Sequence, residues 1–140
     1  MARILAIDYG KKRIGVAVSD PLQIIANGLE TVPNAEIMAF LEDYLAREEV
    51  ETIVIGEPTH LDGRPTYLST EINSFAKEVH KKFPHLTIAR VDERFTSVDA
   101  KKIILQSGVK KKKRRDKGLV DKVSAVLILQ EYMETLRAGR

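Results

Sequence analysis

Three acidic positions carry the chemistry this chain can do. Asp8 closes the apolar run RILAIDY at 3–9, Asp92 and Glu93 follow the run LTIARV at 86–91, and Asp121 heads the apolar stretch at 119–137. A charge at the end of a buried segment is costly unless it is paired, solvated or bound to metal. Carboxylates gathered from such places form a hard-oxygen ligand set that suits Mg²⁺ or Mn²⁺. Two such ions held about 3.5–4 Å apart activate a water and stabilise the oxygen that departs. That chemistry fits a phosphate ester.

Each acid also has a plainer reading. Asp8 fits a cap on the turn at Tyr9-Gly10. Asp92 and Glu93 point to opposite faces if the strand continues, and the pattern does not choose between them. Glu93 with Arg94 equally fits a surface ion pair. Counting i+3, i+4, i+7 and i+11 from Asp121 gives Ser124, Ala125, Ile128 and Tyr132, a small and largely apolar stripe. Asp121 therefore lies on or beside the face that packs inward. The helix dipole accounts for an acid in a first turn, but it does not require that acid on the packed face.

Cations stand next to these acids. Lys11, Lys12 and Arg13 follow Asp8 within five residues, and KKKKRR, from Lys110, Lys111, Lys112 and Lys113 to Arg114 and Arg115, leads into Asp121. Residues 108–118 carry seven Lys/Arg and one Asp, a local charge of +6, so the rest of the chain sums to −3 against a net +3. Attraction to a polyanion is therefore local. A dense run is often only a solvated patch, but its position favours sequence-independent phosphate contact. It holds no aromatic residue, so stacking of bases on the run itself is not expected.

The elements that must position these groups follow from periodicity. Residues 3–9 and 13–20 read as strands joined through the four-residue link YGKK, and 24–32 as a third strand closing a meander. Asn34 is the expected N-cap of a first helix whose apolar face is Ile37, Phe40, Leu41, Tyr44 and Leu45. ETIVIG at 51–56 is apolar on both faces, as a central parallel strand should be. Residues 56–68 form a polar loop, followed by a helix with Leu68, Ile72, Phe75, Ala76 and Val79 on one side that stops before Pro84. LTIARV is the fifth strand. Thr96 and Asp99 fit a capping box for a helix at 97–107 ended by Gly108, and a last helix covers 119–137. The order βββαβαβαα predicts an α/β fold: a mixed five-stranded sheet, three strands in an antiparallel meander and two parallel, with helices on both faces.

The bulk composition excludes several classes. A chain of 140 residues has the size of one domain, read here as 1–140, with a core of its own. It has no cysteine, which rules out disulfides and thiolate metal sites and suits the reducing cytoplasm. His60, His80 and His85 make no zinc pattern. There is no apolar run of bilayer length and no secretory h-region, so no membrane partner is expected.

Taken in order, IDYGKKRIGVAVSD at 7–20, VIGEP at 54–58, LDG at 61–63, DERFTS at 92–97 and DKVSAVLILQEY at 121–132 closely resemble the YqgF family, also called RuvX. The resemblance spans nearly the whole chain. It implies an RNase H-like fold and a two-metal nuclease, Holliday-junction-resolvase-like or trimming precursor 16S rRNA. It marks Asp8, Glu93 and Asp121 as the catalytic and metal-binding acids, which selects Glu93 over Asp92. It also marks Lys12, Arg13 and Arg94 as phosphate contacts. The implied mechanism is in-line attack by an activated water, with precursor rRNA favoured over branched DNA and a monomer or homodimer as the working form. Two departures stand out: Gly56-Glu57-Pro58 where the family usually has GLP, and Ser124-Ala125 where it often has two alanines.

Two other function classes compete. A sugar-kinase or actin-like ATPase also begins with an Asp-x-Gly hairpin, but it needs two lobes and this chain has room for one. A non-catalytic RNA-binding factor for ribosome assembly or transcription would not need all three acids.

Overall fold

The structure is a computed structural model that describes residues 2–57, 68–92 and 117–138, the side chains of residues 117–121 and 138 excepted. Strand β1 (Arg3–Asp8), β2 (Arg13–Ser19) and β3 (Ala26–Pro33) form the meander. A 3₁₀ turn at Asn34–Glu36 leads into helix α1 (Ile37–Arg47), then β4 (Val50–Glu57), helix α2 (Ser69–Lys82), β5 (Thr87–Asp92) and, at the end of the chain, helix α3 (Lys117–Ala138). The expected helix at 97–107 and its cap at Thr96 and Asp99 lie outside the described residues.

The five strands form one sheet in the order β3-β2-β1-β4-β5. β1 and β2, and β2 and β3, pair antiparallel, while β1 with β4 and β4 with β5 pair parallel. This is the mixed sheet the element order predicts. β1 and β4 are central, which is why their sequences are apolar on both faces.

Two apolar layers sandwich the sheet. On one face Leu5, Ile7, Ile53 and Ile55 meet Ile37, Leu41 and Tyr44 of α1 and Ile72, Phe75 and Val79 of α2. On the other, Ile4, Ala6, Ala17, Val54 and Val91 meet Ala125, Ile128, Leu129 and Met133 of α3. The second layer is rich in small residues, which lets α3 lie close to the sheet. Gly28 of β3 continues this, since a Cβ there would stand 2.8 Å from Cδ of Lys122.

Three local expectations are corrected. The third strand begins at Ala26, not at residue 24, because Ile24 and Ile25 belong to a tight loop held by Asp20. Asn34 is not the cap of α1: it sits in the 3₁₀ turn, and the helix starts after Glu36 with no side-chain cap. Helix α3 begins at Lys117, so Asp121 is its fifth residue and lies past the first turn.

Candidate active site

Asp8 is the last residue of β1, opposite Gly15 of β2. Side chains alternate along a strand, so Asp8 shares a side with Ile4 and Ala6, the side covered by α3. The parallel register aligns Ile7 with Ile55, and Ile55 with Arg90; two rows further, Glu57 aligns with Asp92. β1, β4 and β5 thus finish together at one end of the sheet, the carboxyl end where α/β folds open their clefts. Val91 packs on the α3 side, so Asp92 turns the other way. Glu93 follows directly and lies outside the described residues.

Helix α3 runs from this end of the sheet to the other. Near its C-terminus Arg137 donates a hydrogen bond to the Ile24 carbonyl at 3.0 Å, beside the far end of β1. Lys122 lies against Gly28, which is level with Ala17 and hence with Ala6. Asp121 therefore belongs to the half of α3 on the Asp8 side. One and two turns later Ala125 and Ile128 are fully buried on the sheet, as the stripe counted from Asp121 requires, and Ser124 is buried with them. The first-turn dipole argument for an acid at 121 loses its premise, because the helix starts four residues earlier.

The link between β1 and β2 is built by a residue whose role the sequence hid. Asn34 donates through Nδ2 to the Gly10 carbonyl at 2.6 Å, and its backbone N–H donates to the Lys12 carbonyl at 2.9 Å. Gly10 has no room for a side chain, since a Cβ would run into the Arg13 carbonyl oxygen. The turn after Asp8 is thus pinned from the start of the α1 connection. The partners stand 24 residues apart, so the sequence showed Asn34 only as a helix cap.

The cations divide. Lys11 is exposed and pairs with Glu71 of α2 at 3.7 Å; Lys12 is exposed; Arg13 is half-buried at the start of β2. Arg94 and the run 110–115 lie outside the described residues. Glu57, the departure from the family pattern, is paired with Arg90, which also donates to Asn73 Oδ1 at 3.1 Å. The added negative charge is therefore compensated on its own sheet edge. Ser124, the other departure, has a buried hydroxyl with no hydrogen-bond partner among the described residues. Among the described residues no group of three or more His, Asp or Glu is arranged to hold a metal ion. Two of the three expected ligands, Glu93 and the side chain of Asp121, lie outside the described residues.

The profile of the RuvX family, described as Holliday junction resolvase, matches residues 2–135. The chain belongs to the RuvX family. A relative from Christiangramia forsetii is 53% identical over 133 residues, covering 95% of this chain and 98% of its own length. One from Bacteroides thetaiotaomicron is 50% identical over 137 residues, covering 98% and 99%. Both carry the name "Putative pre-16S rRNA nuclease". Among solved structures, Thermus thermophilus RuvC, determined with a Holliday junction substrate, superposes with a TM-score of 0.59 over 96% of each chain at 18% identity. This likeness and the strand order make the RuvX-family fold of this chain RNase H-like, as the resemblance implied.

Proposed function

We propose that this chain is a divalent-metal-dependent nuclease of the cytoplasm that hydrolyses phosphodiester bonds in structured nucleic acid, with precursor 16S rRNA as its substrate. The observation that carries the reading is topological. The end of β1 with Asp8, the end of β5 leading into Glu93, and the half of α3 that holds Asp121 all lie at one end of the sheet. Relatives about half identical over nearly the full chain bear a nuclease name, which favours RNA. The family description and the RuvC fold favour branched DNA as the second reading.

The donor set suits hard cations: three carboxylates, no thiolate, and no histidine among them. Two Mg²⁺ or Mn²⁺ ions held by Asp8, Glu93 and Asp121 would supply an activated water and charge stabilisation for the leaving oxygen. The remaining work belongs to the chain. Asp8 sits at the end of a strand paired on both sides, which fixes its backbone. Lys12 and Arg13 draw a phosphate toward Asp8, and Arg94 offsets charge beside Glu93. Lys110–Arg115 binds the backbone without regard to sequence.

The test is cleavage of precursor 16S rRNA and of four-way DNA junctions by purified wild type, Asp8→Ala, Glu93→Gln and Asp121→Ala, with and without Mg²⁺. Each variant should stop cutting yet keep nearly its full affinity for RNA, because acids hold metal and lysines hold phosphate. An active Asp8→Ala enzyme contradicts the assignment. Neutralising residues 110–115 should weaken binding and flatten its dependence on salt; an unchanged slope would remove that run from the interface.

A further inference from the structure

A cavity of about 380 Å³ opens beside Tyr9, on the opposite side of the sheet end from the acids. It lies between the first turns of α1 and the first half of α2. Its apolar lining comes from Tyr9, Phe75, Ile37 and Met38, and its polar lining includes Glu71 and Glu78. Its volume falls in the small-ligand range of roughly 300–1,000 Å³. Nothing in the catalytic reading uses it.

The lining selects the ligand. Tyr9 and Phe75 form a tilted ring pair with centroids 5.1 Å apart; Phe75 is buried and backs the half-buried Tyr9, whose ring is the aromatic surface open to a flat heterocycle. Glu71 is already paired with Lys11, so Glu78 carries the net negative charge of the lining, which disfavours a phosphate and accepts hydrogen bonds from N–H groups. A phosphate chain therefore does not enter, whereas an unstacked base can. RNA is read in just this manner, by bases splayed out onto aromatic rings and bonded along their Watson–Crick edges. Guanine alone presents two adjacent donors on that edge, N1–H and the N2 amino group, which match the two oxygens of one carboxylate. Adenine offers a single amino group beside an acceptor nitrogen.

Position links the cavity to the acids. Tyr9 follows Asp8 directly and, by strand alternation, turns to the other face. Lys11, two residues on, already reaches Glu71. A strand with its phosphate at Asp8 crosses the sheet end to reach Tyr9 on the opposite face, and the turn that follows both residues is pinned at Gly10 and Lys12.

We propose that the cavity lined by Tyr9, Phe75, Glu71 and Glu78 is a base pocket that holds an unstacked guanine of the bound strand next to Asp8. This rests on the nuclease reading for its biological sense, but its test does not require cleavage. The probe is a short single-stranded RNA with one guanine, compared with the same RNA carrying inosine, adenine or an abasic site there, by fluorescence anisotropy in EDTA. Wild type should bind the guanine RNA about tenfold more tightly than the abasic one, the scale of a single stacked base, with inosine and adenine between. Ser74 also lines the cavity and is exposed, so Ser74→Trp should fill the pocket, abolish the guanine preference and leave abasic binding unchanged. Glu78→Gln should reduce the preference for guanine over inosine. Equal affinity of wild type for guanine and abasic RNA overturns the proposal, as does a preference that survives Ser74→Trp. If Asp8→Ala still cuts, the nuclease assignment fails while the base pocket stands or falls on these affinities alone.

Discussion

Two aspartates end neighbouring strands of this sheet, and they are used in opposite ways. Asp20 follows β2 and Asp8 closes β1; because those strands are antiparallel, the two stand at opposite ends. Asp20 Oδ1 accepts hydrogen bonds from the Ile24 and Ile25 N–H groups, each at 2.7 Å. Gln23, in the left-handed region at φ 59°, hands its side chain to the Ala2 carbonyl at 2.9 Å. That end of the sheet is closed by its own loop. At the other end the turn is held by Asn34 from a distant segment, and Asp8 lies on the side covered by the helix that carries Asp121. The same residue type at the same kind of position is a turn cap in one place and a candidate metal ligand in the other. What separates them is which element crosses above, a fact of tertiary structure.

The comparison breaks most sharply in a pair of substitutions. Asp8→Asn should cost several kcal/mol of transition-state stabilisation, about 10³-fold in cleavage rate. Asp20→Asn should leave that rate unchanged and lower the melting temperature. Equal effects of the two on cleavage would erase the distinction. Next in size is Gly10→Ala, which forces a Cβ into the Arg13 carbonyl at the turn after Asp8. Overpacking of this kind costs about 1–3 kcal/mol, and chemical denaturation should show the loss together with slower cleavage.

Ser124→Ala removes a buried hydroxyl that has no partner among the described residues. The variant should gain stability on the order of 1 kcal/mol, since an unsatisfied buried polar group is a net cost. A loss of cleavage with that gain would instead give Ser124 a part in the site, three residues after Asp121. The smallest effect concerns pH. The Ile25 N–H, followed by that of Ile24, holds the Asp20 carboxyl below its ordinary value of 3.8. A lowered folded-state value means that Asp20 stabilises the fold above pH 3.8 and loses that contribution as the pH falls through the lowered value. Thermal melts of wild type and Asp20→Asn should therefore converge in acid and separate toward neutral pH.

The sequence made the sheet legible because burial wrote it plainly. β1 and β4 are apolar on both faces since both faces are covered, and the helix faces of α1 and α2 follow their period, with Phe40, Leu45 and Leu68 half-buried at their margins. Boundaries were less legible where loops borrow strand-like residues. Ile24 and Ile25 look like strand, yet they are exposed and serve the Asp20 loop. Asn34 looked like a helix cap because its real partner, Gly10, is close only in space. Of the site, the stripe from Asp121 through Ala125 and Ile128 was readable from spacing. The choice of Glu93 over Asp92 was not, because both faces of β5 are partly apolar; it came from family resemblance, and Glu93 lies outside the described residues. The cavity beside Tyr9 escaped the sequence entirely, since its walls come from three separate segments.

The most direct test of the central claim is a crystal of the wild-type protein grown with Mn²⁺ and measured at an anomalous edge. An anomalous peak coordinated by carboxylate oxygens of Asp8, Glu93 and Asp121 is the predicted result. Mn²⁺ bound elsewhere, with those three side chains pointing apart, would contradict it.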